Sequence, residues 1–190
     1  LLRGLSGGDA ASVDFAGLYQ SLQKIPQLSL RNVTINLHTF DGELLSFSDG
    51  LATIANRDGA HYLHANLSLA DSPEEMALSI EVTGNELADM SGQMHVELPH
   101  ADYSELFHRQ TLEDLSIGEM LGGGHFWLTF AGGELSEFTS EFELDTLALL
   151  SSASDSLSLR DLSGRVGLVR QSFDDSWELS LSDMRLTWQE

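Results

Sequence analysis

Hydrophobic residues change their spacing near the start of the chain and hold the new spacing almost to its end. Phe15, Leu18, Tyr19, Leu22 and Ile25 fall at i, i+3, i+4, i+7 and i+10, a stripe with the period of a helix. Ser12 or Asp14 can cap its start and Pro26 ends it, which predicts an amphipathic helix over about 13–25. From Leu28 onward the period is two. Val33, Ile35 and Leu37 alternate with polar residues, as do Leu63, Ala65, Leu67 and Leu69, then Met76, Leu78, Ile80 and Val82, then Met94, Val96 and Leu98. Phe126, Leu128 and Phe130 follow, then Phe138, Phe142 and Leu144, and finally Trp177, Leu179 and Leu181. Turn chemistry separates the sets at Asp41-Gly42, Asp58-Gly59, Asp71-Ser72-Pro73, Gly132-Gly133 and Asp174-Asp175. Connections this short join antiparallel neighbours, since a parallel return needs a dozen residues or more. The pattern predicts an antiparallel meander over about 28–98, resumed over about 124–190. Between the two halves Tyr103, Leu106 and Phe107 repeat the helical stripe, and Leu112, Leu115 and Met120 extend it. A second helical segment is therefore expected over about 102–120, stopped by Gly122-Gly123-Gly124. The polar stretch from Ser151 to Ser156 is too short to link domains.

The strands contain a repeat. Leu28-Ser29-Leu30-Arg31-Asn32-Val33 is echoed by Leu45-Ser46-Phe47-Ser48-Asp49-Gly50, by Leu157-Ser158-Leu159-Arg160-Asp161-Leu162 and by Leu179-Ser180-Leu181-Ser182-Asp183-Met184. After each Asn or Asp the apolar phase changes. In the last copy Leu179 and Leu181 share one parity, while Met184, Leu186 and Trp188 share the other. A regular strand would turn its second half inside out, because a one-residue slip exchanges the two faces. A β-bulge removes the conflict by adding one unpaired residue, and Asn and Asp suit it because they tolerate unusual backbone angles. Kinks are expected at Asn32, Asp49, Asp161 and Asp183, with one continuous apolar face preserved through them. The fold class that follows is mainly β (α+β): a curved antiparallel meander forming a groove or taco-like sheet, with two short amphipathic helices. The alternative is a closed sandwich of ordinary amphipathic strands, in which helices and an opposite sheet fill the interior.

Composition removes several functions. The 190 residues suit a single domain. Thirty Asp and Glu against nine Lys and Arg give a net charge of −21. That excludes electrostatic binding to nucleic acid, which needs a basic footprint, and it opposes adsorption to an anionic bilayer. Lys24 is the only lysine; a salt-adapted source, whose proteins stay hydrated through dense carboxylates, is one explanation. With no cysteine there is no disulfide framework or thiolate metal site. No run of ~18 apolar residues, the length of a membrane-crossing helix, is present. The chain opens at Leu1 without a signal peptide, and is expected to be a piece of a longer protein.

Candidate chemistry is sparse. His61 and His64 lie three apart on a predicted strand and so point to opposite faces. His100, Asp102 and His108 can converge across a turn, but with no recognised metal-ligand spacing. Gly122-Gly123-Gly124-His125 is not a phosphate loop, because no Lys-Ser or Lys-Thr follows. Glu74-Glu75 and Asp174-Asp175 sit at turns, and no nucleophile elbow exists. Asn32-Val33-Thr34 and Asn66-Leu67-Ser68 match a glycosylation sequon that recurs by chance. Neither a catalytic residue, a cofactor nor a metal is expected, and an enzyme with converging carboxylates is the weakest reading.

One resemblance adds to this. The helix ahead of Leu28-Ser29-Leu30-Arg31-Asn32-Val33-Thr34-Ile35, the Asp41-Gly42 hairpin and the Ser48-Asp49 kink together are similar to the YhdP family. So are the segment before Gly124, Asp161-Leu162-Ser163-Gly164 and Ser182-Asp183-Met184-Arg185-Leu186-Thr187. The family belongs to the AsmA-like superfamily, which also includes TamB, and the resemblance runs from about Val13 to the end. It implies a Gram-negative protein anchored in the inner membrane by a helix outside this chain, with a β-rich body crossing the periplasm. It further implies movement of phospholipid between inner and outer membranes, outer-membrane integrity, an apolar β-groove and no catalytic residues. The near absence of lysine is a departure from that pattern. On this reading phospholipid acyl chains and neighbouring segments of the same protein are the partners, with no nucleic acid. The expected groove lining is Val33, Ile35, Leu37, Leu63, Leu67, Leu78, Ile80, Phe126, Leu128, Phe142 and Leu144. The alternative function is a non-enzymatic structural or protein-interaction β-sandwich.

Overall fold

Helix α1 (Phe15–Gln23) leads into strands β1 (Gln27–His38), β2 (Leu44–Arg57), β3 (Ala60–Leu69), β4 (Glu75–Thr83) and β5 (Ser91–Asp102). The short β6 (Thr111–Leu112) precedes β7 (Leu115–Ala131), β8 (Glu134–Ser151), β9 (Ser156–Arg170) and β10 (Trp177–Trp188). The computed structural model describes residues 15–38, 44–69, 75–104, 111–112, 115–151, 156–171 and 176–188. The Asp41-Gly42, Asp71-Ser72-Pro73 and Asp174-Asp175 turns, the 152–155 stretch, Glu74 and His108 lie outside these residues. Every described strand belongs to one antiparallel sheet, in the order β1-β2-β3-β4-β5-β7-β8-β9-β10, with β6 paired to β7. Two hairpins close on residues with positive φ: Asp58 and Gly59 at 53° and 78°, and Gly132 and Gly133 at 60° and 77°. That backbone matches the right-handed twist of the flanking strands.

The strands stay long because their irregularities are local. Among the described residues, the non-glycine positions with positive φ besides Asp58 are Asn32 (55°), Asp49 (53°), Asp161 (49°) and Asp183 (55°). A left-handed conformation costs an ordinary residue about 1–2 kcal/mol, and Asn and Asp least among side-chain-bearing residues. The register of β1 on β2 shifts between Arg31 and Val33, that of β2 on β3 between Ser48 and Leu51, and that of β10 on β9 between Ser182 and Arg185. β8 and β9 keep their register past Asp161, because both change apolar phase together: Leu144 pairs with Leu162, then Leu147 with Leu159.

Between these outer strands the same height is marked by Pro99, within the Leu98/Ala101 register shift of β5, and by Gly122 of β7 at φ 152°. Proline, lacking an N–H, sits at such a bulge without losing a ladder bond. A Cβ at Gly122 would run into the Glu143 carbonyl and the Leu144 backbone, so only glycine fits. The irregularities thus form one crease running across the strands.

Two expectations are corrected here. The sheet is open, neither closed nor strongly curled. A trough requires bending about the strand direction so that edges β1 and β10 approach, whereas the irregularities here lie in a row across the strands. Of the segment expected to be helical over 102–120, Asp102 ends β5, Ser104 is helical, Leu106 and Phe107 lie among residues 105–110 and 113–114 outside the described ones, and the expectation fails only at Thr111–Leu112 and over 115–120, which open β7. From Leu115 onward the helical expectation is outweighed by pairing, since Leu115, Ser116 and Ile117 lie opposite Ser151, Leu150 and Leu149, with a bulge near Gly118. α1 is the one helix of more than three residues among those described. Its C-terminal end is tied down by Asn56, whose amide donates to the Leu22 carbonyl at 2.8 Å and the Ile25 carbonyl at 2.6 Å.

Asp161→Val should destabilise the protein by about 1–2 kcal/mol, because a β-branched residue is poorly tolerated at that φ. Asp161→Gly should be close to neutral. Urea unfolding of the two variants beside the parent checks the difference.

Candidate functional site

Residues directly opposite in an antiparallel pair share a face, so the register assembles one surface. Ala52 and Ile54 of β2 oppose Ala65 and Leu63 of β3. Leu63, Ala65 and Leu67 oppose Ile80, Leu78 and Met76 of β4, and Ile80 and Leu78 oppose Met94 and Val96 of β5. The surface continues through Leu128 and Phe126 of β7, then Phe138, Phe142 and Leu144 of β8. It ends on Leu168 and Leu162 of β9 and on Leu179 and Leu181 of β10.

Crossing the crease does not break this face. In β2, Phe47 before Asp49 has odd parity and Ala52 and Ile54 after it have even parity, yet all three pair on the same side of β3. In β10, Leu181 before Asp183 opposes Val166, while Met184 after it lays its thioether over Gly164. Gly164 opposes Phe142, so both belong to the leucine face.

Cover on this face is uneven. At the crease end Phe47, Leu67 and Tyr103 form a buried cluster, with Val33, Met76, Leu98, Ala101 and Met120 packed against it. Tyr103 is held there because its hydroxyl donates to the Pro99 carbonyl at 2.6 Å and its N–H to the Met120 carbonyl at 2.8 Å. Leu67 is 2% exposed and Leu144 7%, so both are packing residues. Leu63, Leu78, Ile80, Phe126, Leu128, Phe142 and Val33 are half-buried, while Ile35 and Leu37 lie in β1 opposite Phe47 and Leu45. Toward the β10 edge the cover ends: Leu179 and Leu181 are each 59% exposed and Leu186 53%. No second sheet packs on this face among the described residues.

The opposite face is polar and holds two hollows. One of about 990 Å³ follows the crease past Glu97, His125, Glu141 and Arg165; another, of about 610 Å³, lies over β3–β8 beside His64, His95 and Trp127. Arg165 pairs with Glu141, Arg170 with Glu134, and His100 with Asp145 at 3.0 Å. Exposed pairs of this kind contribute about 0–1 kcal/mol each. His61 lies opposite Val82 on the leucine side, its Nδ1 2.8 Å from Asn56 Oδ1 and its Nε2 3.2 Å from the Gly84 carbonyl. His64 lies on the polar side with Nδ1 3.0 Å from Ser79 Oγ. Among the described residues no three His, Asp or Glu side chains converge to hold a metal ion.

Sequence reasoning missed a cluster of His95, His125 and Trp127, whose rings lie within 20° of parallel at 5.0–5.7 Å between centroids. The available signal was their odd parity, which sets them against the leucines; their meeting depends on β5–β7 pairing, invisible until the register is known.

An open, single-layer antiparallel meander with one apolar face defines the chain as a mainly β protein built on a single sheet. The chain belongs to the YhdP family, whose model, described as YhdP protein, matches residues 7–190. No curated protein and no solved structure gives a significant match. No helix among the described residues is long and apolar enough to cross a membrane.

The two ends of the leucine face should respond differently to truncation. Leu67→Ala should cost about 2–5 kcal/mol as a buried-core deletion, whereas Leu181→Ala should stay within about 0.5 kcal/mol. Chemical denaturation of both variants, with binding of an apolar dye to compare their surfaces, measures the contrast.

Proposed function

We propose that the leucine face is a contact surface for phospholipid acyl chains. On this reading the chain is one segment of a periplasm-crossing, inner-membrane-anchored protein that moves phospholipid between the two membranes, maintains outer-membrane integrity and catalyses no reaction. Neighbouring segments of the same protein flank it.

The supporting observation is an apolar surface that passes through four left-handed residues without changing side and is left open to solvent at β10. A diacyl phospholipid carries roughly 30 methylenes, each costing about 0.8 kcal/mol to expose to water. Its unassisted passage through an aqueous compartment therefore costs on the order of 20 kcal/mol. A path that lowers this must offer apolar cover without interruption, and a face broken at any strand would expose the chain there. Family membership agrees with such a role, and an exposed apolar patch of this extent marks an interaction surface in proteins generally.

Leu181 and Glu178 make a matched pair of probes, because they project from opposite sides of the same exposed strand. A photo-crosslinking residue at Leu181 in the full-length protein should capture phospholipid in cells, and one at Glu178 should capture little. Lipid at neither position, or equally at both, overturns the proposal.

A further inference from the structure

The polar face carries an aromatic group that the leucine face does not explain. His95 Nε2 lies 3.3 Å from His125 Nδ1, and the two rings are 3° from parallel with centroids 5.5 Å apart. The centroid separation is the nitrogen separation plus about one ring radius at each end, so the imidazoles lie end to end in one plane, joined by an N–H···N bond. Trp127 is 16° from the plane of His95 and 19° from that of His125, at 5.0 and 5.7 Å. Both imidazoles therefore cover the same side of the indole. Its other side turns away from β5 toward β8, where Thr129, Glu137 and Thr139 line one end of the hollow of about 610 Å³ that also runs over β2–β5, and the residue is 37% exposed.

We propose that the β8 end of this hollow binds a neutral saccharide, with the free face of Trp127 as its platform. A sugar ring presents a patch of C–H groups that packs on an aromatic face and a rim of hydroxyls that both donate and accept. The surroundings of Trp127 match that rim. Thr139 lies directly across on β8, with Thr129, Gln93 and Glu137 in the adjacent row. Their hydroxyl, amide and carboxylate groups supply donors and acceptors together. Charge selects against the alternatives. Among the described residues no Lys or Arg lines the hollow, Glu137 and Glu81 do, and the chain carries −21, so an anionic ligand is repelled. An ammonium ion donates but cannot accept, which leaves the threonine and glutamine donors without use. Supporting the indole from behind with a coplanar histidine pair fixes its orientation before the ligand arrives, which lowers the ordering cost of binding.

The test is calorimetric titration of the full chain with chitohexaose, cellohexaose and maltohexaose, with saturation-transfer NMR to find which ligand protons touch the protein. At least one saccharide should bind, with saturation concentrated on its ring C–H protons. Trp127→Ala should weaken that binding at least tenfold, and Thr139→Val, which keeps shape and strand preference, by about fivefold with an unchanged circular dichroism spectrum. Should Trp127→Ala fail to fold, Thr139→Val decides. Failure of all three saccharides to bind, full affinity in Thr139→Val, or binding of tetramethylammonium in place of sugar overturns the proposal.

Discussion

A β-strand has one rule that a single-layer sheet cannot evade: successive side chains point to opposite sides, and a slip of one residue reverses everything beyond it. In a two-layer protein a local fault can be absorbed by a facing core. Here the described strands form one sheet, so each strand must keep its own leucines on one side over lengths of up to 18 residues. Asn32, Asp49, Asp161 and Asp183 take φ between 49° and 55° at the points where the apolar phase changes. The left-handed residue adds the extra half-period that returns the following leucines to the same side. Pro99 and Gly122 mark the same height in the strands between. The result is a crease shared by the sheet, and the leucine face and the polar hollows both depend on it.

The sheet gains from the crease a small core that a flat layer would lack. Tyr103, emerging from β5 just beyond Pro99, folds back onto Phe47 and Leu67 and brings Met120 with it. Away from that cluster the leucines cover one another only as neighbours on a common face, which leaves most of them half-buried. Stability then rests on the backbone ladder and on same-face neighbours, with burial concentrated at one end. An apolar surface that is continuous but incompletely covered is what the proposed contact with acyl chains requires. Nothing in that requirement involves the polar face, where an indole braced by two imidazoles has separate chemistry.

Much of this could be read from the residues in order. Period-two alternation between Asp58-Gly59 and Gly132-Gly133 turns carries the meander, because hairpin pairing and facing are both local consequences of side-chain parity. The pairing of Asn or Asp with a phase change is also local, since conformational tolerance belongs to the residue itself. Other features were not legible. The expected helical segment extends to Met120, yet the residues from Leu115 onward are claimed by β8, whose pairing partners lie about thirty residues away. The meeting of His95, His125 and Trp127 depends likewise on the register of β5 against β7.

The sequence by itself determined the strands, their antiparallel order, the family and the places where the backbone turns left-handed, because each rests on a residue and its near neighbours. Only the tertiary structure decided that the sheet stays open, that Leu67 is packed while Leu181 is bare, and that the polar face has hollows. Those outcomes depend on which distant strands lie side by side and at what height their kinks align, which is a property of the assembled sheet.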